Sequence, residues 1–175
     1  LLPGWAWRLL RALSVIGALA MAALLVLEPD LGLPLFWGLV VPVLPLVFMF
    51  TPGLWRNLCP LATSNQLPRR LGLSQGWTGQ SLSQGKAYPL GITLLLAGVI
   101  GRKLLFNFNG VATAALILGA MGAALIGGLL YKGKSGWCSS VCPLLPVQRL
   151  YGQTPFIRIA NTQCAPGDRP LEPVV

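Results

Sequence analysis

Long apolar runs, separated by short polar or basic connections, dominate the chain. They cover about residues 9–27, 31–50, 87–106 and 111–130. Crossing a ~30 Å hydrocarbon core takes about 20 helical residues. The second and fourth runs reach that length outright, and the first does so once Leu9 and Leu10 join it. The third does so only if Leu104, Leu105 and Phe106 extend it past Arg102 and Lys103. Glu28-Pro29-Asp30 leads directly from the first run into the second, which reads as a hairpin. A cleaved signal segment, which Arg8 and Arg11 ahead of the first run would also suit, is the weaker alternative. The chain opens on Leu1 rather than Met, so a missing or processed N-terminal stretch is expected.

Basic residues set the expected orientation. Arg8 and Arg11 precede the first run, and the following connection holds only Glu28 and Asp30. Arg56, Arg69, Arg70 and Lys86 lie between the second and third runs. Arg102 and Lys103 lie between the third and fourth, and Lys132, Lys134, Arg149, Arg158 and Arg169 follow the fourth. Both termini should therefore be cytoplasmic, with residues 1–150 forming a four-helix transmembrane domain and 151–175 a cytoplasmic tail. Pro34, Pro42 and Pro45 fall within the second run. Pro42 and Pro45 withhold hydrogen bonds from the carbonyls of Gly38 and Val41, so a kink is expected there. Ser14, Ala18 and Ala22, and likewise Ala120, Ala124 and Gly128, recur at helical spacing. Close packing inside one bundle is the expectation, ahead of a dimer face.

Composition narrows the function. Of 175 residues, 54% are hydrophobic and only 10% charged, with a mean hydropathy of +0.69. A typical soluble domain carries roughly 25% charged residues, so a soluble globular enzyme is not expected. There is no histidine, hence no His-ligated haem, zinc or copper and no Ser-His or Cys-His dyad. With only Glu28, Asp30, Asp168 and Glu172 as acids, paired-carboxylate hydrolysis is also unexpected. Neither haem nor nicotinamide is expected. The net charge of +9 does not point to nucleic acid, because the basic residues sit between apolar runs as topology signals do.

The informative pattern is a repeat that ends in cysteine. Gly53-Leu-Trp-Arg-Asn-Leu-Cys59-Pro60-Leu61 follows the second run, and Gly136-Trp-Cys138-Ser-Ser-Val-Cys142-Pro143-Leu144 follows the fourth. Placing Cys59 on Cys142 also places Gly53 on Gly136 and Leu67 on Leu150. Each half is thus a helical hairpin followed by a cytoplasmic Cys-Pro turn, with Cys59, Cys138 and Cys142 on one membrane face. On a helical turn Cys138 and Cys142, at i and i+4, would have Cβ atoms about 6 Å apart, which suits two ligands of one iron–sulfur cluster. Pro143 stops a helix and frees N–H groups that could bond cluster sulfur. Arg56, Lys132, Lys134 and Arg149 supply the cationic surroundings that several thiolates need. A disulfide is disfavoured on a reducing side, zinc has no evident task, and inert buried cysteines are the plain alternative.

At these motifs the sequence resembles the membrane-anchored, polyferredoxin-like [4Fe–4S] proteins that accompany periplasmic nitrate reductase (its quinol-oxidising membrane subunit) and nitrous-oxide reductase maturation. The resemblance implies a helical membrane domain with two Cys-x-x-x-Cys-Pro motifs at the cytoplasmic ends of helices, followed by ferredoxin modules. It covers about residues 10 to 150. Trp137-Cys138-Ser-Ser-Val-Cys142-Pro143 matches the second motif in full. In Trp55-Arg-Asn-Leu-Cys59-Pro60, Trp55 stands where the family has its leading cysteine. Cys59, Cys138 and Cys142 are then the candidate cluster ligands, with Cys164 the weaker fourth. The tail would be a truncated start of a ferredoxin-like module.

The function this implies is a bacterial inner-membrane subunit carrying electrons through a [4Fe–4S] cluster, between a membrane or cytoplasmic donor and a larger redox complex. It would be a subunit rather than a stand-alone enzyme. Other subunits of a respiratory or photosynthetic complex, anionic lipid and quinone are its expected partners, although no residue reads as a quinone site. The alternative is a non-redox helical accessory subunit of such a complex that has lost the cluster. A transporter is weakly supported, since only Arg102 and Lys103 bring charge close to a span. The stretch Arg102–Asn109 is expected along the outer interface. Residues 61–86 read as a solvated loop, with Arg69 and Arg70 near anionic headgroups. Trp5, Trp7, Trp55, Trp77 and Trp137 fall near interfaces, and Trp37 lies inside a span.

Overall fold

In a computed structural model, residues 4–73, 88–130 and 141–151 are described, and none of them is in a strand. Helix α1 (Gly4–Leu27) is separated by Glu28 alone from α2 (Pro29–Pro34), whose first position is a proline already set to a helical φ. A π-helical turn (Leu35–Val40) joins α2 to α3 (Val41–Phe50). This is where the expected disturbance at Pro42 is absorbed. The Val41 N–H donates to the Phe36 carbonyl five residues back, a wider register that brings the ladder up to a proline unable to donate.

Two short helices follow, α4 (Pro52–Leu58) and α5 (Pro60–Arg70), each opening on proline after one non-helical residue, Thr51 or Cys59. Helix α6 (Tyr88–Gly101) continues through a second π-helical turn (Arg102–Phe106). Helix α7 (Gly110–Leu130) is capped by Asn109, whose Oδ1 accepts the Ala112 N–H at 3.0 Å. Helix α8 (Leu145–Tyr151) closes the described chain.

Four helical segments are long and apolar enough to cross a membrane: Gly4–Leu27, Pro29–Phe50, Pro89–Phe106 and Gly110–Leu130. Their outward faces carry large apolar side chains such as Leu13, Ile16, Leu39, Leu46, Val99 and Ile126, as lipid-facing helices do. The protein is an all-α membrane protein with four transmembrane helices.

Its interior is small. Leu25, Ala22 and Ala114 are buried together, with Met21, Leu33, Phe36 and Ile117 packed around them, so α1 rests on α7. The contact is close because Gly110 has no side chain. A Cβ there would run into the Leu25 carbonyl and lie 3.0 Å from the Pro29 Cβ. At the same end the Trp37 Nε1–H donates to the Phe106 carbonyl at 3.2 Å, joining the two π-helical turns, and Thr113 Oγ1 donates to that oxygen at 2.6 Å. The Arg102 guanidinium lies 5.0 Å from the Trp37 ring centroid. This charge within the third span thus lies against an aromatic face. Helix α6 stands largely apart, with Gly91 its only buried residue among those described.

One expectation is overturned. Residues 60–70, the first part of the supposed solvated loop, form α5, which packs along α7 and touches α1. Ala62, Ser64, Asn65 and Pro68 are buried on its inner face, while Leu67 and Arg70 are exposed. Pro60 starts it, and the polar inner face finds partners on the bundle rather than in water.

Candidate functional site

Cys59 lies between α4 and α5 with φ −54° and ψ 122°, the extended conformation that a following proline imposes. Its N–H still donates to the Trp55 carbonyl at 2.7 Å, ending α4. Its own carbonyl accepts the Thr63 N–H at 3.0 Å, opening α5. Cys59 is therefore the residue that caps α5. Its sulfur takes the place of a capping Ser oxygen, with the backbone N–H groups of Leu61 and Ala62 directed at it. Thr63 Oγ1 adds a bond to the Cys59 carbonyl at 3.1 Å.

Cys142 repeats the arrangement in the other half of the chain. It too precedes a proline, its carbonyl accepts the Leu145 N–H at 3.0 Å, and the N–H groups of Leu144 and Leu145 face its sulfur. In both turns the donors come two and three residues after the cysteine. The repeat read in the sequence is thus a repeat of sulfur environment.

The two turns converge. Cys59 and Cys142 are both buried, both carry free thiols, and lie close enough that charge on Cys142 acts on Cys59. Helix α8 reaches this position by packing on α3. Burial pushes the Cys59 thiol up to about 12, with the proximity of Cys142 adding to the rise and the Ala62 and Leu61 amides opposing it. Cys142 is raised by burial as well, against the Leu144 and Leu145 amides. The chemistry follows from this opposition. Amides and a helix N-terminus favour anionic sulfur, whereas burial disfavours net charge. A cation that displaces the proton relieves that conflict, because metal binding deprotonates thiols. Among the described residues no third Cys, His, Asp or Glu joins the pair. Cys138 and Cys164, the other candidate ligands, lie outside the described residues.

The surroundings hold the first turn in place. Asn65 Nδ2 donates to the Ala124 carbonyl at 2.8 Å, and the α5 backbone at Asn65 lies directly over Gly128. The Ala124 and Gly128 positions of the small-residue stripe therefore receive α5 of the same chain. Trp55, at the place of the resembling family's leading cysteine, makes an edge contact with the fully buried Phe48, with ring centroids 5.5 Å apart. Arg11 of α1 reaches the same region, its Nε donating to the Asn57 carbonyl at 3.2 Å.

Sequence reasoning treated Arg11 as a topology signal and placed Asn57, Ser64 and Asn65 in connections, yet all four are buried. Two signals were available. Arg11 stands inside an apolar helical pattern, where a charge is costly. Pro60 also marks a helix start, since proline suits the first helical position. Comparison with known proteins adds nothing to this geometry: the chain matches no family model, no curated protein and no solved structure.

Proposed function

We propose that the protein is an integral membrane iron–sulfur electron-transfer subunit of the bacterial inner membrane, with its Cys-Pro turns and both termini on the cytoplasmic side. One observation carries this: Cys59 and Cys142, from equivalent turns of the two halves, are buried within electrostatic reach of each other, with two backbone N–H groups facing each sulfur. Amide-to-sulfur hydrogen bonds and burial are the protein's means of tuning a cluster potential. Cys59 and Cys142 would supply two thiolates, and Cys138 with Cys164 would complete the set for a [4Fe–4S] cluster. Such a cluster supplies one-electron transfer. The chain's part is to hold the sulfurs, keep water from them and stabilise their charge. Its partners would be other subunits of a membrane redox complex, anionic lipid and a quinone.

The non-redox reading, a helical accessory subunit of a respiratory or photosynthetic complex, draws on the burial that keeps both described thiols protonated, as it does for packing cysteines. Iron and acid-labile sulfide per chain separate the two. On protein purified anaerobically in detergent, about four of each, with an EPR signal after dithionite, is the expected result. A folded, iron-free protein that also takes up none on reconstitution establishes the accessory reading. Reporter fusions at residues 1 and 175 test the orientation, and both should report the cytoplasm.

A further inference from the structure

Arg11 is 6% exposed and is the charged side chain buried among the described residues. The described acids, Glu28 and Asp30, lie at and beyond the opposite end of α1. A guanidinium held out of water and away from carboxylates is costly, so its local partners carry weight. One of them is the Asn57 carbonyl, in the last turn of α4 and two residues before Cys59.

If α4 continued as a regular helix, the Asn57 carbonyl would accept the Leu61 N–H. Here the Leu61 N–H is directed at the Cys59 sulfur. The amide that serves the sulfur has been taken from the helical ladder, and the Arg11 guanidinium occupies the carbonyl it leaves. A cation at this place also complements the negative end of α4.

We infer that Arg11 is a positioning residue for the sulfur site. By holding the Asn57 carbonyl it keeps the Cys59 turn in the form that aims the Leu61 amide at sulfur, and so couples the first transmembrane helix to the properties of the site. Its bearing on a cluster rests on the iron–sulfur reading above, whereas its bearing on the Cys59 thiol does not.

The test uses the full chain in detergent, treated with a chelator, and follows iodoacetamide modification of Cys59 and Cys142 separately by mass spectrometry. Arg11→Gln should slow modification of Cys59 about tenfold, because losing the Leu61 amide and a nearby cation disfavours the reactive thiolate, and leave Cys142 unchanged. Arg11→Lys keeps the charge but not the planar fork and should slow Cys59 about threefold, again without effect on Cys142. Acceleration of Cys59, alone or together with Cys142, means that Arg11 serves packing and overturns the assignment, as does no change at Cys59. If Arg11→Gln does not fold, Arg11→Lys is judged by the same two outcomes. In iron-loaded protein, Arg11→Gln should lower the reduced-to-oxidised ratio at fixed potential about tenfold, since a nearby cation favours the more negative state. An unchanged ratio there, with Cys59 still selectively slowed in the chelated protein, would overturn the cluster role and leave the positioning role standing.

Discussion

Asn65 Nδ2 donates to the Ala124 carbonyl at 2.8 Å, across 59 residues of sequence, and thereby fixes a polar helix against a transmembrane one. With Asn65 only 1% exposed, the bond forms away from water. Asn65→Ala should destabilise the protein by about 1–2 kcal/mol, read as a lower midpoint in SDS unfolding from mixed micelles. An unchanged midpoint would mean that α5 is not held here.

Gly128 tests the same crossing from the other side. A Cβ on it would run into the backbone carbonyl of Asn65, and backbone cannot swing aside as a side chain can. Gly128→Ala should cost about 1–3 kcal/mol. In the double variant with Asn65→Ala the two losses should fall short of additive, because both act on one contact.

The cysteines differ in expected weight. Cys59→Ser, Cys138→Ser and Cys142→Ser should each abolish bound iron. Cys164→Ser, in the weaker candidate ligand, should retain part of it. Full iron content in both Cys59→Ser and Cys142→Ser would show that the convergent pair is not the site.

Alkaline pH should weaken the metal-free protein. Burial holds the Cys59 thiol at about 12, above its ordinary 9.0. The unfolded chain therefore loses that proton first. The contribution of Cys59 to stability is intact below about pH 9 and declines as pH rises toward 12. The measurement is the difference in unfolding midpoint between the parent and Cys59→Ser, followed from pH 8 upward. The parent should lose more stability over this window, and parallel curves would contradict the buried neutral thiol.

Trp37→Phe should remove the bond from Nε1 to the Phe106 carbonyl while leaving the Thr113 bond to that oxygen. The expected loss is about 1 kcal/mol. With Thr113→Val added, the combined loss should depart from the sum of the single losses, since the two donors share one acceptor.

Local patterns were readable where their cause is local. Apolar length alone located the four spans, because a helix must be about 20 residues long to satisfy its backbone across lipid. The Cys-Pro turns were equally plain, since proline disfavours helical ψ in its predecessor and suits the first position of a new helix. The polar stretch after Pro60 misled for an opposite reason. Its composition is that of a solvated loop, and only the carbonyl of Ala124 and the bare surface at Gly128 make it a buried helix.

The sequence by itself determined an all-helical membrane protein with two Cys-Pro turns, through hydrophobic length and the missing N–H of proline. Tertiary structure alone decided that Cys59 and Cys142 lie within electrostatic reach of each other, that α5 enters the bundle and that Arg11 reaches the Asn57 carbonyl 46 residues away. These relationships join distant parts of the chain, and the entry of α5 depends on how closely Gly128 lets it approach α7.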